Sequence, residues 1–119
     1  MNIQIHQHNE TAIAEVTSDQ ILIHTPDEGL QLMVDLYYQG YGEMILHEQN
    51  IAPEFFDLKT GIAGEILQKF TTYRVRLAIV GDFAHYESKS LRDFIFESNK
   101  GRQVNFVPSV EEALERLST

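Results

Sequence analysis

The chain contains no cysteine and only three prolines, and it carries half as many basic residues as acidic ones, 9 against 18. Without cysteine there is no disulfide framework, no thiolate zinc site and no cysteine nucleophile, which fits a reducing compartment. No apolar run approaches the roughly 18 residues that span a bilayer. Met1 to His8 lacks the basic and then apolar regions of a secretory signal, so the sequence reads as cytoplasmic. The deficit of bases leaves a formal charge of −9, a field that repels phosphate backbones and anionic lipid, and neither nucleic acid nor membrane is expected as a partner. Lys100 and Arg102 form the only close basic pair between elements and read as solvated charges. No G-x-S-x-G nucleophile motif occurs, so an enzyme is not favoured, and no cofactor is expected.

What is present is an ordinary globular composition, 43% hydrophobic and 23% charged, in a length that suits one domain over residues 1–119. Ile3 and Ile5 alternate with polar neighbours, and Ala12 to Val16 follows a turn region, which predicts an N-terminal hairpin. Ile21 to Ile23 is a candidate third strand. Thr25, Pro26 and Glu28 form a helix start, with a capping threonine, proline at the first helical position and glutamate three residues after the cap. The expected inner stripe is Leu30, Met33, Val34 and Tyr37, ended by Gly40 and Gly42. Met44 to His47 suits a buried strand. A helix is expected over Thr60 to Thr72, then a central parallel strand at Val75 to Val80 that ends at Gly81 and Asp82. A helix from Ser90 to Lys100, a strand from Val104 to Val107, and a helix capped by Ser109 with Glu112 complete the chain. This order demands an α/β fold with a mixed sheet of four to six strands, an N-terminal hairpin and about four helices.

The best local pattern is Phe55, Phe56, Asp57, Leu58, Lys59, Thr60, Gly61, Ile62, entering the second long helix. Together with the element order it resembles the STAS domain of anti-sigma-factor antagonists. There an apolar pair, an aspartate, a serine or threonine and a glycine occupy this place, and the hydroxyl residue is phosphorylated. The resemblance implies that role for Thr60. Leu58 and Lys59 depart from the pattern, by one extra residue between aspartate and hydroxyl and by a charge. The chain also resembles a bacterial family known only as a domain of unknown function, most recognisably over Glu54 to Lys69 and Ala78 to Glu97.

Thr60 also has a purely local reading, as a helix cap whose hydroxyl accepts from a free N–H. A glycine inside a helix costs about 1 kcal/mol relative to alanine, so Gly61 and Gly64 suggest a close approach to the backbone. What approaches is the protein's own sheet, or a partner or anion at the helix start. In a mostly parallel sheet, ligands sit beyond the carboxyl ends of the strands. That edge should collect His47, Glu48, Asp57, Thr60, Asp82, His85, Tyr86, Ser88 and Lys89. Imidazoles and carboxylates here are suitable metal ligands, but their spacing is no metal signature. His6, His8 and His24 read as surface or strand-edge residues without partners. Tyr37, Tyr38 and Tyr41 would suit a protein interface. The leading expectation is a non-enzymatic regulatory or protein-interaction module whose partner is another protein or a second copy. The rival is a small-molecule or nucleotide site at the strand ends.

Overall fold

The computed structural model describes residues 1–119. The N-terminal strands β1 (Asn2–His8) and β2 (Thr11–Thr17) form the expected hairpin. The two turn residues, Asn9 and Glu10, both have positive φ, the geometry of a turn whose twist matches that of the strands. Then follow α1 (Pro26–Tyr38), β3 (Glu43–His47), α2 (Ile62–Tyr73), β4 (Arg76–Val80), α3 (Lys89–Lys100), β5 (Val104–Val107) and α4 (Val110–Leu117). Three short 3-10 turns, Glu48–Asn50, Pro53–Phe56 and Leu58–Thr60, link β3 to α2. The five strands lie in chain order, β1-β2-β3-β4-β5. The hairpin is antiparallel and every later pair is parallel.

Parallel neighbours in chain order need one crossover after another, and the helices that make them stack on one face of the sheet. Leu32, Met33 and Leu36 of α1, Ala63, Ile66 and Phe70 of α2, and Leu91 of α3 meet Ala14, Val16, Met44, Leu46, Leu77, Ile79, Val104 and Phe106 in the larger core. On the opposite face only α4 is laid down, where Ala113 and Leu117 cover Ile13, Ile45, Ala78 and Val107. Strand side chains alternate between the two cores, so β4 is apolar throughout its middle, as a strand buried on both faces must be.

The helix starts follow the capping chemistry. Thr25, Ser88 and Ser109 accept from the N–H groups of Glu28, Leu91 and Glu112, each contributing about 1 kcal/mol. Glu28 turns chiefly to His24 rather than back to Thr25. Its carboxylate accepts from the His24 N–H at 2.6 Å and from the His24 ring at 3.0 Å. The far end of α4 is held by Arg76, whose guanidinium donates to the carbonyls of Arg102, Arg116, Leu117 and Thr119. A cation there satisfies helix-end carbonyls and opposes the negative pole of the helix.

Several expectations change. Ile21 to Ile23 is not a strand; it makes a single bridge, Ile23 to Ile51, and Asn50 holds the segment before it by donating to the carbonyls of Ser18 and Gln20. The α1 stripe is rotated by one residue, with Gly29, Leu32, Met33 and Leu36 inward and Tyr37 43% exposed. This helix is apolar at positions 30, 32, 33, 34, 36 and 37, so two stripes of the same period fit it. The choice falls to what the sheet and α2 present. The second long helix begins at Ile62 rather than Thr60, and the third at Lys89 rather than Ser90.

Candidate functional site

The carboxyl ends of β3 and β4 bring together four of the expected residues, Glu48, Asp82, His85 and Tyr86. Glu48 is the first residue after β3, and its carboxylate turns across the end of β4. One oxygen accepts from the backbone N–H of Asp82 at 3.2 Å. The other accepts from the Tyr86 hydroxyl at 2.5 Å and hydrogen-bonds to the His85 ring at 3.1 Å. Gly81 makes this possible. A Cβ at position 81 would lie 2.5 Å from a Glu48 carboxylate oxygen and 2.6 Å from Glu48 Cβ, closer than non-bonded carbon and oxygen allow. Burial, and then the hydrogen bond and charge of Glu48, push the Tyr86 phenol well above its ordinary pKa; it is held as a neutral donor.

Aromatic stacking ties this cluster to the loop before α2. Tyr86 stacks on Phe56 with ring centroids 5.1 Å apart and against His85 at 4.1 Å, and Phe83 meets Phe106 edge-on at 5.3 Å. Phe56 closes the 3-10 turn that precedes Asp57, so the cluster packs on the loop that leads to α2. Beside it, Gly81, Asp82, Phe83, Ile95, Phe106 and Pro108 line an open hollow of about 420 Å³ at the ends of β4 and β5.

The remaining expected residues are spent locally or turned elsewhere. Asp57 accepts from the Lys59 N–H at 3.2 Å and caps a 3-10 turn. Thr60 is exposed, and its hydroxyl is bound to the carbonyls of Glu54 at 2.8 Å and Asp57 at 2.9 Å. It accepts only weakly from Ile62 N–H, at 3.3 Å, and the residue at the cap of α2 is Gly61, in left-handed conformation with φ of 77°. Side chains with a Cβ are strained there, which accounts for this glycine. Asp82 turns its own carboxylate to the Ala84 N–H. Ser88 caps α3, and Lys89 pairs with Asp93 on the same helix at 2.7 Å. No group of three His, Asp or Glu side chains is arranged to hold a metal ion.

His47 leaves the edge altogether. Strand alternation points it to the α4 face, where its ring meets Glu15 at 2.7 Å. The other oxygen of Glu15 meets His6 at the same distance. A buried carboxylate is thus clasped between two imidazoles from the strands on either side. Burial works to raise the Glu15 pKa, but the bonds to His6 and His47 outweigh it and the carboxyl is held below its ordinary value. His6, His8 and His24 therefore all have partners, since His8 reaches Glu115 of α4 at 3.3 Å and His24 reaches Glu28. The signal in the sequence was Glu15 itself, an acid in the inward register of an apolar strand between Ile13 and Thr17.

Gly64 answers the question of close approach. It is exposed on α2, and a Cβ there would meet nothing within 4 Å. Packing of the helix on its own sheet is therefore not the reason for this glycine. Leu67 and Thr71 follow it on the same side of the helix, at one and two turns. These two line a groove of about 400 Å³ between α2 and α3, with Phe94 and Ser98 opposite and Val104 at its floor. While α1 packs on α2, the α2 and α3 helices stand apart over this groove. The tyrosine patch is likewise recast, with Tyr37 between Tyr38 and Tyr73 at 5.8 and 5.9 Å.

The fold and its strand-end cluster define an α/β domain with a five-stranded mixed sheet and four helices. No helix is long and apolar enough to cross a membrane. The chain belongs to the family described as a domain of unknown function, DUF4180, whose model matches residues 8–117. No curated protein and no solved structure matches it.

Proposed function

We propose that the protein is a non-enzymatic regulatory module of STAS-like fold, a single domain in the bacterial cytoplasm, that receives another protein along the Thr60 to Thr71 side of α2. The observation that carries this reading is Gly64. Gly64 is the third residue of α2, where an exposed glycine costs about 0.4–1 kcal/mol relative to alanine, and no intramolecular contact uses the space it leaves. A partner that lies against the bare backbone does use it. The apolar groove of Leu67, Phe94 and Val104 continues from that point, and Thr60 stands exposed one turn ahead of it. The hairpin, the chain-order sheet and the helices stacked on one face support the STAS-like reading. The polar groups of the Glu48 cluster bond to one another, which supports a structural role for them over turnover.

The test is capture of a bacterial partner by immobilised protein, compared across wild type, Gly64→Leu and Thr60→Glu, with melting curves to establish that each variant is folded. Capture is expected to fall sharply for both variants while melting stays within a few degrees. Equal capture by both refutes the reading.

A second reading rests on the hollow at Gly81 to Phe83 and Phe106 to Pro108, which lies where parallel sheets bind small molecules. It predicts that a ligand screen finds a nucleotide or other small molecule that raises the melting temperature by mass action. It also predicts that Phe83→Ala abolishes the shift. A screen with no shift excludes it.

A further inference from the structure

The two edges of the sheet are unlike. β5 is four residues long, every one of them buried, and it is flanked by α3 and α4. β1 is seven residues long and paired with β2 in an unbroken register from Asn2↔Thr17 to His8↔Thr11. Its other side has no strand against it. A regular strand at a sheet edge presents a row of free N–H and C=O groups, which proteins guard with lysine, proline, inward charge or a bulge. The segment N-I-Q-I-H-Q-H has no lysine, no proline and no acid, and its register has no bulge.

Two side chains make the edge adhesive as well as open. Ile3 and Ile5 share the face of Val16 and Ala14, their partners in β2, and are 38% and 39% exposed. They border the larger core without being covered by it. The strand is also free of acids in a chain of charge −9, so two such chains can meet here without placing carboxylates opposite one another.

We propose that β1 pairs with β1 of a second copy, antiparallel, about a two-fold axis at Gln4. In that register Ile3 of each copy faces Ile5 of the other, Gln4 faces Gln4, and Asn2 faces His6. Both isoleucine pairs fall on one face, continuous with the larger cores, and the two five-stranded sheets become one. Centring on Ile5 instead would set Ile3 opposite Gln7 and leave one apolar pair in place of two. A two-fold interface has to be self-complementary, and within Asn2–His8 the Gln4 register is the one that sets both isoleucines opposite isoleucine. An unrelated partner strand would need the same spacing of apolar residues and the same lack of acids, which the chain itself supplies. The strand lies almost wholly ahead of the residues matched by the family model, 8–117, so the inference concerns this chain and is independent of the groove between α2 and α3.

The absence of cysteine makes the register directly testable in the full 119-residue chain. Directly opposed residues of antiparallel strands have Cα atoms about 4.5–5.5 Å apart, within the roughly 4.4–6.8 Å a disulfide bridges. Gln4→Cys should therefore give a covalent dimer under mild oxidation. Gln7→Cys, whose copies lie far apart in this register, should not. By native mass spectrometry and sedimentation, wild type is expected to be a dimer at micromolar concentration. Ile3→Lys with Ile5→Lys, which sets like charges opposite, should be a folded monomer by circular dichroism. Ile3→Lys with Ile5→Glu should dimerise again, because each lysine then faces a glutamate. A monomeric wild type, with or without affinity for extended peptides, overturns the proposal. So does a dimer that survives the double-lysine change or fails to cross-link at position 4, or a lysine–glutamate variant that stays monomeric. If the double-lysine variant does not fold, the two cysteine variants decide alone.

Discussion

Two glycine-to-alanine substitutions of identical chemistry should move stability in opposite directions. At an unstrained position, replacing glycine by alanine stabilises by about 0.4–1 kcal/mol through the unfolded chain. Gly64 meets the conditions, with no neighbour within 4 Å of the added methyl, and in the first turn of α2 the gain is about 0.4–1 kcal/mol. At Gly81 the same methyl would sit 2.5 Å from the Glu48 carboxylate and 2.6 Å from Glu48 Cβ. Glu48 follows directly on His47, which is paired with Val80 in the sheet, so its Cβ cannot yield without disturbing β3. The carboxylate must swing away and lose Asp82 N–H, His85 and Tyr86. His85 is 58% exposed, and water replaces most of that bond. The bonds to Tyr86 and the backbone remain as the loss, about 2–3 kcal/mol for hydrogen bonds to a charged acceptor.

Subtracting the entropic gain leaves Gly81→Ala destabilised by at least about 1–2 kcal/mol, to which the strain at Glu48 Cβ adds. For a chain of this size 1 kcal/mol moves the midpoint by about 4 °C, so the two variants should melt at least about 6 °C apart on either side of wild type. Calorimetry or urea titration measures this directly. Tyr86→Phe, which removes one hydroxyl bond without a clash, should fall between wild type and Gly81→Ala. Because the clash includes Glu48 Cβ, a Glu48→Gly background should abolish the penalty of Gly81→Ala, whereas Glu48→Ala should relieve only part of it. A Gly81→Ala variant as stable as wild type would refute the geometry of the cluster.

Two further predictions follow from other contacts. The Glu15 carboxyl is held below its ordinary value in the folded state, so its contribution is present above the unfolded value of about 4.5 and is lost as pH falls through that value and then through the folded one. Glu15→Gln should be less stable than wild type at pH 7, and the gap should narrow as pH falls below the ordinary value of 4.5; parallel urea midpoints across that range would refute the pairing with His6 and His47. Arg76→Ala removes four bonds to carbonyls at the end of α4 and the segment around Arg102. It should cost about 2–4 kcal/mol and raise hydrogen exchange selectively over residues 110–117, where uniform exchange would count against it.

Local chemistry determined much of this protein from the sequence alone. The capping residues Thr25 and Ser109 and the apolar run at Val75 to Val80 fix helix starts and a two-sided strand by interactions within a few residues, so element order and a mixed α/β sheet could be read directly. The grouping of Glu48, Asp82 and His85 was also legible, because parallel strands in an α/β fold end on one edge. What the sequence could not carry were choices between equal local patterns. Two stripes of the same period exist on α1, and the shapes of the sheet and α2 select the one that leaves Tyr37 outside. His47 and Glu48 are neighbours in the chain, yet strand alternation and the turn after β3 send one to Glu15 and the other to Tyr86. Gly64 and Gly81 are the same residue in the sequence. Tertiary structure alone decides that one leaves space empty and the other fills it with a carboxylate, because the contact at Gly81 comes from a residue 33 positions away.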